Sequence, residues 1–253
     1  MKQYFFLVIF FLAQVSIAST HTYQIGDQEA EGYLALPKKL KGKAPAVLIV
    51  HDWMGPSSFT QKKADQIANM GYVAFTADIY GKGIRPKDGK EAGALAGKYK
   101  NDRLELRRRV RAAYDVVKTL KEVDPKKIVV IGYCFGGTTA LELGRSGVDL
   151  AGIVSFHGGL ENPTPDNAKN IKGKTLILHG AIDPFVKMDE VAAFQREMNA
   201  AGVDYQFISY SGAVHAFTLP SAGDDVSKGA AYNAAADRRS WAAFTAFMKE
   251  ITQ

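Results

Sequence analysis

Apolar positions in this chain come in short continuous runs rather than in strict alternation with polar ones. Residues 46–50 (AVLIV), 72–78 (YVAFTAD), 127–132 (KIVVIG), 150–156 (LAGIVSF), 175–180 (TLILHG) and 205–210 (YQFISY) are all of this kind. Such runs suit strands that are buried on both faces. Between them lie stretches with helical spacing. One covers 58–70 and is closed by Gly71, and a long one covers 102–123 and is ended by Asp124-Pro125. Others begin just after Cys134 and cover 187–201 and 230–251. Residues 80–90 (YGKGIRPKDGK) read as a polar loop. Strand alternating with helix predicts a mostly parallel sheet flanked by helices on both faces. In such sheets ligands bind outside the carboxyl ends of the strands, so the loops that follow the strands are the ones to inspect.

The two ends add a compartment. Lys2 precedes an apolar run over 4–13, and Ser16-Ile17-Ala18 has the small-x-small form of a cleavage site. The run is too short to span a bilayer comfortably, and no second apolar span follows. This is the pattern of a secretory signal peptide over 1–18, which predicts an exported, periplasmic or secreted protein with no stable membrane insertion after cleavage. Residues 19–253 then fit one domain. Composition is ordinary, with 47% hydrophobic and 23% charged residues. The net charge of +6 is modest, and the basic segment 103–111 (RLELRRRVR) reads as a solvated helix face. Nothing here points to a nucleic-acid partner.

Cysteine usage sharpens the picture. Export favours disulfides, yet the chain has one cysteine, so it cannot form an intramolecular bridge. That cysteine lies in IGYCFGG, with Gly132 two residues before it and Gly136 two after. A strand, a sharp turn and a helix predict a strained elbow whose side chain stands above the sheet. Glycines at both offsets make room for it. The helix that begins after Cys134 aims its N–H groups at the sulfur, which favours a thiolate and an oxyanion beside it.

A thiol nucleophile on this fold needs a histidine base and an orienting acid, in chain order nucleophile, acid, base. Of five histidines, His157, His179 and His215 follow Cys134. His179 precedes the best acid and reads as a packing residue. His157 ends a strand at the correct sheet edge and lines the pocket. His215, in SGAVHAF after the last strand, is the base. Asp183, in HGAIDPFV, is the acid, with Asp189 the runner-up at a helix start. The backbone N–H groups of Phe135 and of Trp53, in the HDWMGP loop, are the expected oxyanion donors. Asp52 stands beside Trp53, and Tyr133 joins the expected pocket lining.

With these residues, and with GYCFGG, DIYG, LHGAIDPFV and GAVHAF, the chain resembles the dienelactone hydrolase family of α/β-hydrolases. The resemblance implies an α/β-hydrolase fold, a Cys134–His215–Asp183 triad, cleavage of small esters or lactones through a thioacyl intermediate, and neither metal nor organic cofactor. It also implies that Asp52 occupies the place of a glutamate that holds the cysteine. Where the family binds a substrate carboxylate with two arginines, this chain offers Lys82 or Arg85 at the first place and Leu219 at the second. These departures point away from dienelactone itself and toward other esters and lactones. A thioesterase, carboxylesterase or peptidase on the same fold, and an exported non-catalytic binding protein, are the competing readings.

Overall fold

The computed structural model describes residues 17–252, so most of the expected leader lies outside the described residues. Eight strands form one sheet in the order β1-β2-β4-β3-β5-β6-β7-β8. The expected runs become β3 (Ala44–Val50), β4 (Val73–Ala77), β5 (Val123–Tyr133), β6 (Gly152–Phe156), β7 (Lys174–Gly180) and β8 (Tyr205–Tyr210). All neighbouring pairs among these six are parallel. Their residues divide between two cores. Leu48 and Val50 face one side while Val47 and Ile49 face the other. A run with no polar alternation is therefore needed, because neither face meets water.

One face is covered by α2 (Gly89–Asn101), α3 (Arg103–Thr119), α4 (Phe135–Arg145) and α5 (Met188–Ala201), the other by α1 (Ser58–Asn69) and α6 (Ala234–Thr252). No helix among the described residues is long and apolar enough to cross a membrane.

Four features differ from the sequence expectation. First, β1 (Ile17–Ile25) and β2 (Gln28–Leu36) form an antiparallel hairpin on the β4 edge. Here the pattern does alternate: Tyr23, Ile25, Ala30 and Leu34 are buried between exposed or half-buried polar residues. Second, α2 occupies the segment between the expected loop over 80–90 and α3, where the sequence pattern predicts no element. Asp88 caps it by accepting the Glu91 N–H at 2.9 Å, and Asp102 closes it and caps α3 by accepting the Glu105 N–H at 3.0 Å. Its glycine content hides it from propensity. The Trp53 indole packs against this helix, 3.4 Å from where a Cβ on Gly89 would lie and 3.9 Å from one on Gly93.

Third, α3 stops at Thr119, and Asp124-Pro125 sits inside β5. Fourth, the arginine stripe of α3 is not uniformly solvated. Arg111 pairs with Asp115 at 2.7 Å in the open, but Arg107 meets the fully buried Glu142 at 2.7 Å. Arg145, also fully buried, holds Glu142 at 3.1 Å and Glu197 at 3.1 Å. A buried carboxylate is tolerated here only because arginines surround it.

The crossing of β5 into α4 is the tightest point of the fold. A Cβ on Gly132 would lie 1.9 Å from the Gly136 carbonyl oxygen, and one on Gly136 would lie 2.3 Å from that of Val50. Neither backbone can yield without moving the sheet. Gly132→Ala is therefore expected to fold poorly or to lose several degrees in thermal melting. Gly97→Ala, in α2 with nothing within 4 Å of the new Cβ, should instead stabilise by about 0.5–1 kcal/mol. A Gly132→Ala melt equal to wild type would refute the packing account.

Candidate active site

Every strand that bears on the site delivers its residue at the carboxyl edge. β3 leads into His51 and Asp52, β5 into Cys134, β6 into His157, β7 into Asp183, and β8 into His215. Among non-glycine described residues only Cys134, His157 and Ala216 have positive φ, at 54°, 41° and 57°. All three lie at this edge. Backbone strain of this kind persists only where the surroundings impose it.

Cys134 is held by its own N–H, which donates to the Phe156 carbonyl at 3.0 Å. Its carbonyl accepts the Gly137 N–H at 2.9 Å and so starts α4. The side chain is half-buried. The N–H of Phe135, at the first position of α4, has no partner in the helix, as the first-turn groups of any helix lack one.

Asp183 is buried and divided between two tasks. Oδ1 accepts the Phe185 N–H at 2.9 Å, and Oδ2 accepts from His215 Nδ1 at 2.8 Å. That bond leaves His215 Nε2 for Cys134, whose negative charge is the largest influence raising the pKa of the imidazole. The His215 backbone is pinned as well: its N–H donates to Gly229 and its carbonyl accepts from Ala231, at 3.1 and 3.0 Å. Two rings flank it edge-on, His157 at 5.2 Å and Phe185 at 5.5 Å.

Electrostatics follow from this geometry. Burial alone would push the His215 pKa down. The negative charge of Cys134, the bonds to Asp183 and Cys134, and the charge of Asp183 outweigh burial and raise it to about 10. Because the folded value lies above the unfolded one, its stabilisation is complete below about pH 6.5 and is lost as pH rises through about 10. His157 shows the opposite behaviour. Burial, then the His215 charge, pushes it well below 6.5, so it stays neutral beside the cation. Its Nε2 lies 2.8 Å from the Thr218 hydroxyl, which ties the end of β6 to the loop that carries His215.

The remaining expected residues separate into those at the site and those elsewhere. Trp53 is 41% exposed on the loop above β3. Asp52 is buried nearby, and its Oδ1 accepts the Met54 N–H at 2.8 Å. No hydrogen bond joins it to Cys134 among the described residues. Burial raises its pKa, opposed by the Met54 N–H and the His215 charge. Tyr133 does not line an open pocket. It is 1% exposed, stacked on Phe156 at 4.7 Å in the core shared with α1 and α6. Strand alternation sends it to that face, opposite to the one on which Phe135 packs.

Lys82 pairs with Glu29 at 3.3 Å on the surface. Arg85 is committed to Asp78 at 3.4 Å and to the carbonyls of Gly81 and Ile84. Arg85 is tied to buried Asp78, whereas Lys82 lies in an exposed surface pair. His179 is a packing residue, as expected, 4% exposed with its ring against Phe207.

Two supports escaped the sequence reading. Fully buried His51 accepts the Ile79 N–H at Nε2, 3.1 Å, so its Nδ1–H donates to the Asp52 carbonyl at 2.6 Å. Burial pushes its pKa down to about 4, which keeps it neutral for both bonds. Tyr80 donates its hydroxyl to the Trp53 carbonyl at 2.9 Å. Each bond fixes the loop that carries the expected oxyanion donor. The DIYG segment was the available signal, but only the fold places Tyr80 beneath Trp53.

Comparison with known proteins agrees with this geometry. A profile of the dienelactone hydrolase family matches residues 30–252. An Aquifex aeolicus protein that carries the name carboxymethylenebutenolidase is 34% identical over 75% of this chain and 82% of its own length. Protein usf of Aquifex pyrophilus is 31% identical over 88% and 94%. Among solved structures, m3DLH superposes with a TM-score of 0.91 at 35% identity, covering 94% of this chain and all of its own. The dienelactone hydrolase-like promiscuous phosphotriesterase P91, from metagenomic libraries, superposes at 0.90 with 34% identity and the same coverage.

The charge balance around His215 is open to direct measurement. In labelled protein its imidazole NMR signals should remain those of the cation through neutral pH and titrate near 10. In Cys134→Ala the largest raising influence is gone, so the midpoint should fall. An unchanged midpoint would show that Cys134 is not what holds the proton.

Proposed function

The chain belongs to the dienelactone hydrolase family and is a hydrolase of ester or lactone bonds, and from that premise we propose that it works through Cys134, His215 and Asp183 with a thioacyl intermediate. The observation that carries this reading is the position of His215, bonded to Asp183 at 2.8 Å and close enough to Cys134, on its strained turn, for the sulfur's negative charge to be the largest influence raising its pKa.

His215 takes the Cys134 thiol proton, which leaves a thiolate facing an imidazolium. The Cys134 sulfur attacks the carbonyl carbon of the substrate, and the carbonyl electron pair moves onto oxygen. The N–H groups of Phe135 and Trp53 receive that oxyanion. As the tetrahedral adduct collapses, the carbon–oxygen bond to the alcohol breaks and His215 gives the departing oxygen its proton. The acyl group is then a thioester on Cys134. Neutral His215 takes a proton from water, the hydroxide adds to the thioester carbonyl, and collapse expels the thiolate and releases the acid. Asp183 holds the imidazole and stabilises its cation throughout. A thiolate is a good leaving group, so its adduct with an amide returns to substrate more readily than its adduct with an ester. Esters and lactones are therefore favoured over peptides.

Native protein treated with iodoacetamide at neutral pH should be labelled at Cys134 without denaturant, and more slowly in His215→Ala. Turnover of p-nitrophenyl acetate should fall by about a thousandfold in Cys134→Ala. Labelling only after denaturation, or wild-type turnover in Cys134→Ala, would sink the triad. A panel of lactones, acyl thioesters and short peptides ranks the competing substrates.

Export is part of the same proposal. Cleavage after Ala18 would remove Ile17 and Ala18 from β1 and leave the pairs from Ser19↔Leu34 to Ile25↔Gln28 intact. The mature protein should begin at Ser19 on N-terminal sequencing. Recovery of the uncut chain from the cytoplasm would refute export.

A further inference from the structure

Large apolar side chains are exposed at few places among the described residues: Ile17, Trp53, Ile84, Leu104, Ile182, Phe185, Met188 and Val226. Six of these eight lie on loops or helix starts at the carboxyl edge of the sheet, around Cys134 and His215. Scattered apolar residues need no explanation, but a concentration around one site does.

Phe185 is the centre of this rim. It is 60% exposed, yet held in place. Its N–H is bonded to Asp183, its ring stands perpendicular to His215 at 5.5 Å, and a Cβ on Gly229 would come within 3.2 Å of it. It also lines a cleft of about 460 Å³, together with Leu160, Pro165, Ala193 and Phe194. That volume is in the range of small-molecule sites. Phe185 is thus the residue that the cleft shares with the surroundings of His215, the group that protonates the departing alcohol.

Charge around the cleft argues against an anionic occupant. Glu161, Asp189, Glu190 and Glu197 line it, against Lys187 alone. Glu197 is neutralised by Arg145, and Glu190 accepts the N–H groups of Leu160 and Glu161. Glu161 and Asp189 remain at the exposed rim, where Arg103 approaches Glu161 only to 3.8 Å. Lys82 and Arg85 are occupied elsewhere.

We infer that the cleft beside Phe185 is the subsite for the leaving alcohol, and that it takes an uncharged apolar chain or ring. The inference rests on the triad reading, which assigns proton donation to His215. The alcohol oxygen sits at His215, its first carbons cross the face of Phe185, and the remainder lies along the exposed Pro165 and Ala193.

The test uses acetate esters of a graded alcohol series, from methyl to n-hexyl and benzyl, with proton release as the readout. In wild type, kcat/KM should rise about threefold per added methylene as each is buried. An acetate ester whose alcohol ends in a carboxylate should be turned over at least about tenfold more slowly than its neutral counterpart of equal length. Ala193→Trp, at an exposed position lining the cleft, and Phe185→Ser should both flatten the chain-length dependence. A flat profile in wild type, a steep profile that survives both variants, or a preference for the carboxylate-bearing ester would overturn the subsite. The triad is judged separately: loss of methyl acetate turnover in Cys134→Ala upholds it whatever the chain-length profile, and retention of that turnover removes it.

Discussion

The close approach of three backbones at the end of β5 is the constraint on which the site depends. Gly132, Gly136 and the carbonyl of Val50 are packed so tightly that no side chain fits between them. With that contact fixed, the chain can pass from β5 into α4 only through a residue with φ of 54°, and Cys134 is that residue. Its side chain then projects above the sheet edge, and the first turn of α4 lies beneath it. The strain is local. What holds it is the registry of β3 with β5, Val50 opposite Gly132, which the apolar cores on both faces enforce.

The same economy appears in the charges. A buried imidazole beside a buried carboxylate and a thiol would be expected to lose its proton to desolvation, as His157 and His51 do. His215 instead keeps it, because the negative charge of Cys134 acts on it and Asp183 is hydrogen-bonded to it. The histidines of this sheet edge thus include one cation, His215, and two neutral supports, His51 and His157. The neutral ones can serve as supports because they are neutral: His51 must accept an amide N–H, and a second cation at His157 would oppose His215. Burial decides the protonation of His51 and His157, and specific partners decide that of His215.

Much of this was legible in the sequence. The six parallel strands, the elbow and the order Cys134, Asp183, His215 each have a short-range signature: continuous apolar runs, glycines at fixed offsets, and polar residues just past strand ends. The misreadings share a different cause. Tyr133 follows from strand parity, which a run apolar on both faces does not reveal. Lys82 and Arg85 lie at plausible distances along the chain, but ion pairs with Glu29 and Asp78 are contacts across the fold. Glycine-rich α2 is stabilised by its Asp88 cap and by packing on Trp53, so propensity alone hides it. The β1–β2 hairpin was visible as a period of two and lay outside the parallel pattern that organised the reading.

Substrate charge is where these contacts bear on function. The segment after β4 holds both cations that proximity in sequence would offer to a carboxylate, and the fold spends them otherwise. Arg85 secures Asp78, whose other oxygen accepts the Tyr80 and Gly81 N–H groups. Arg109, reaching from α3, binds the carbonyls of Ile79 and Tyr80. These bonds lock the turn that places the Tyr80 hydroxyl on Trp53, and so lock the loop expected to receive the oxyanion. Freeing Arg85 to bind a substrate anion would leave buried Asp78 without its cation and loosen that turn. In this chain the positive charges near the site stabilise the architecture of the oxyanion loop, and an apolar rim is left to meet the substrate.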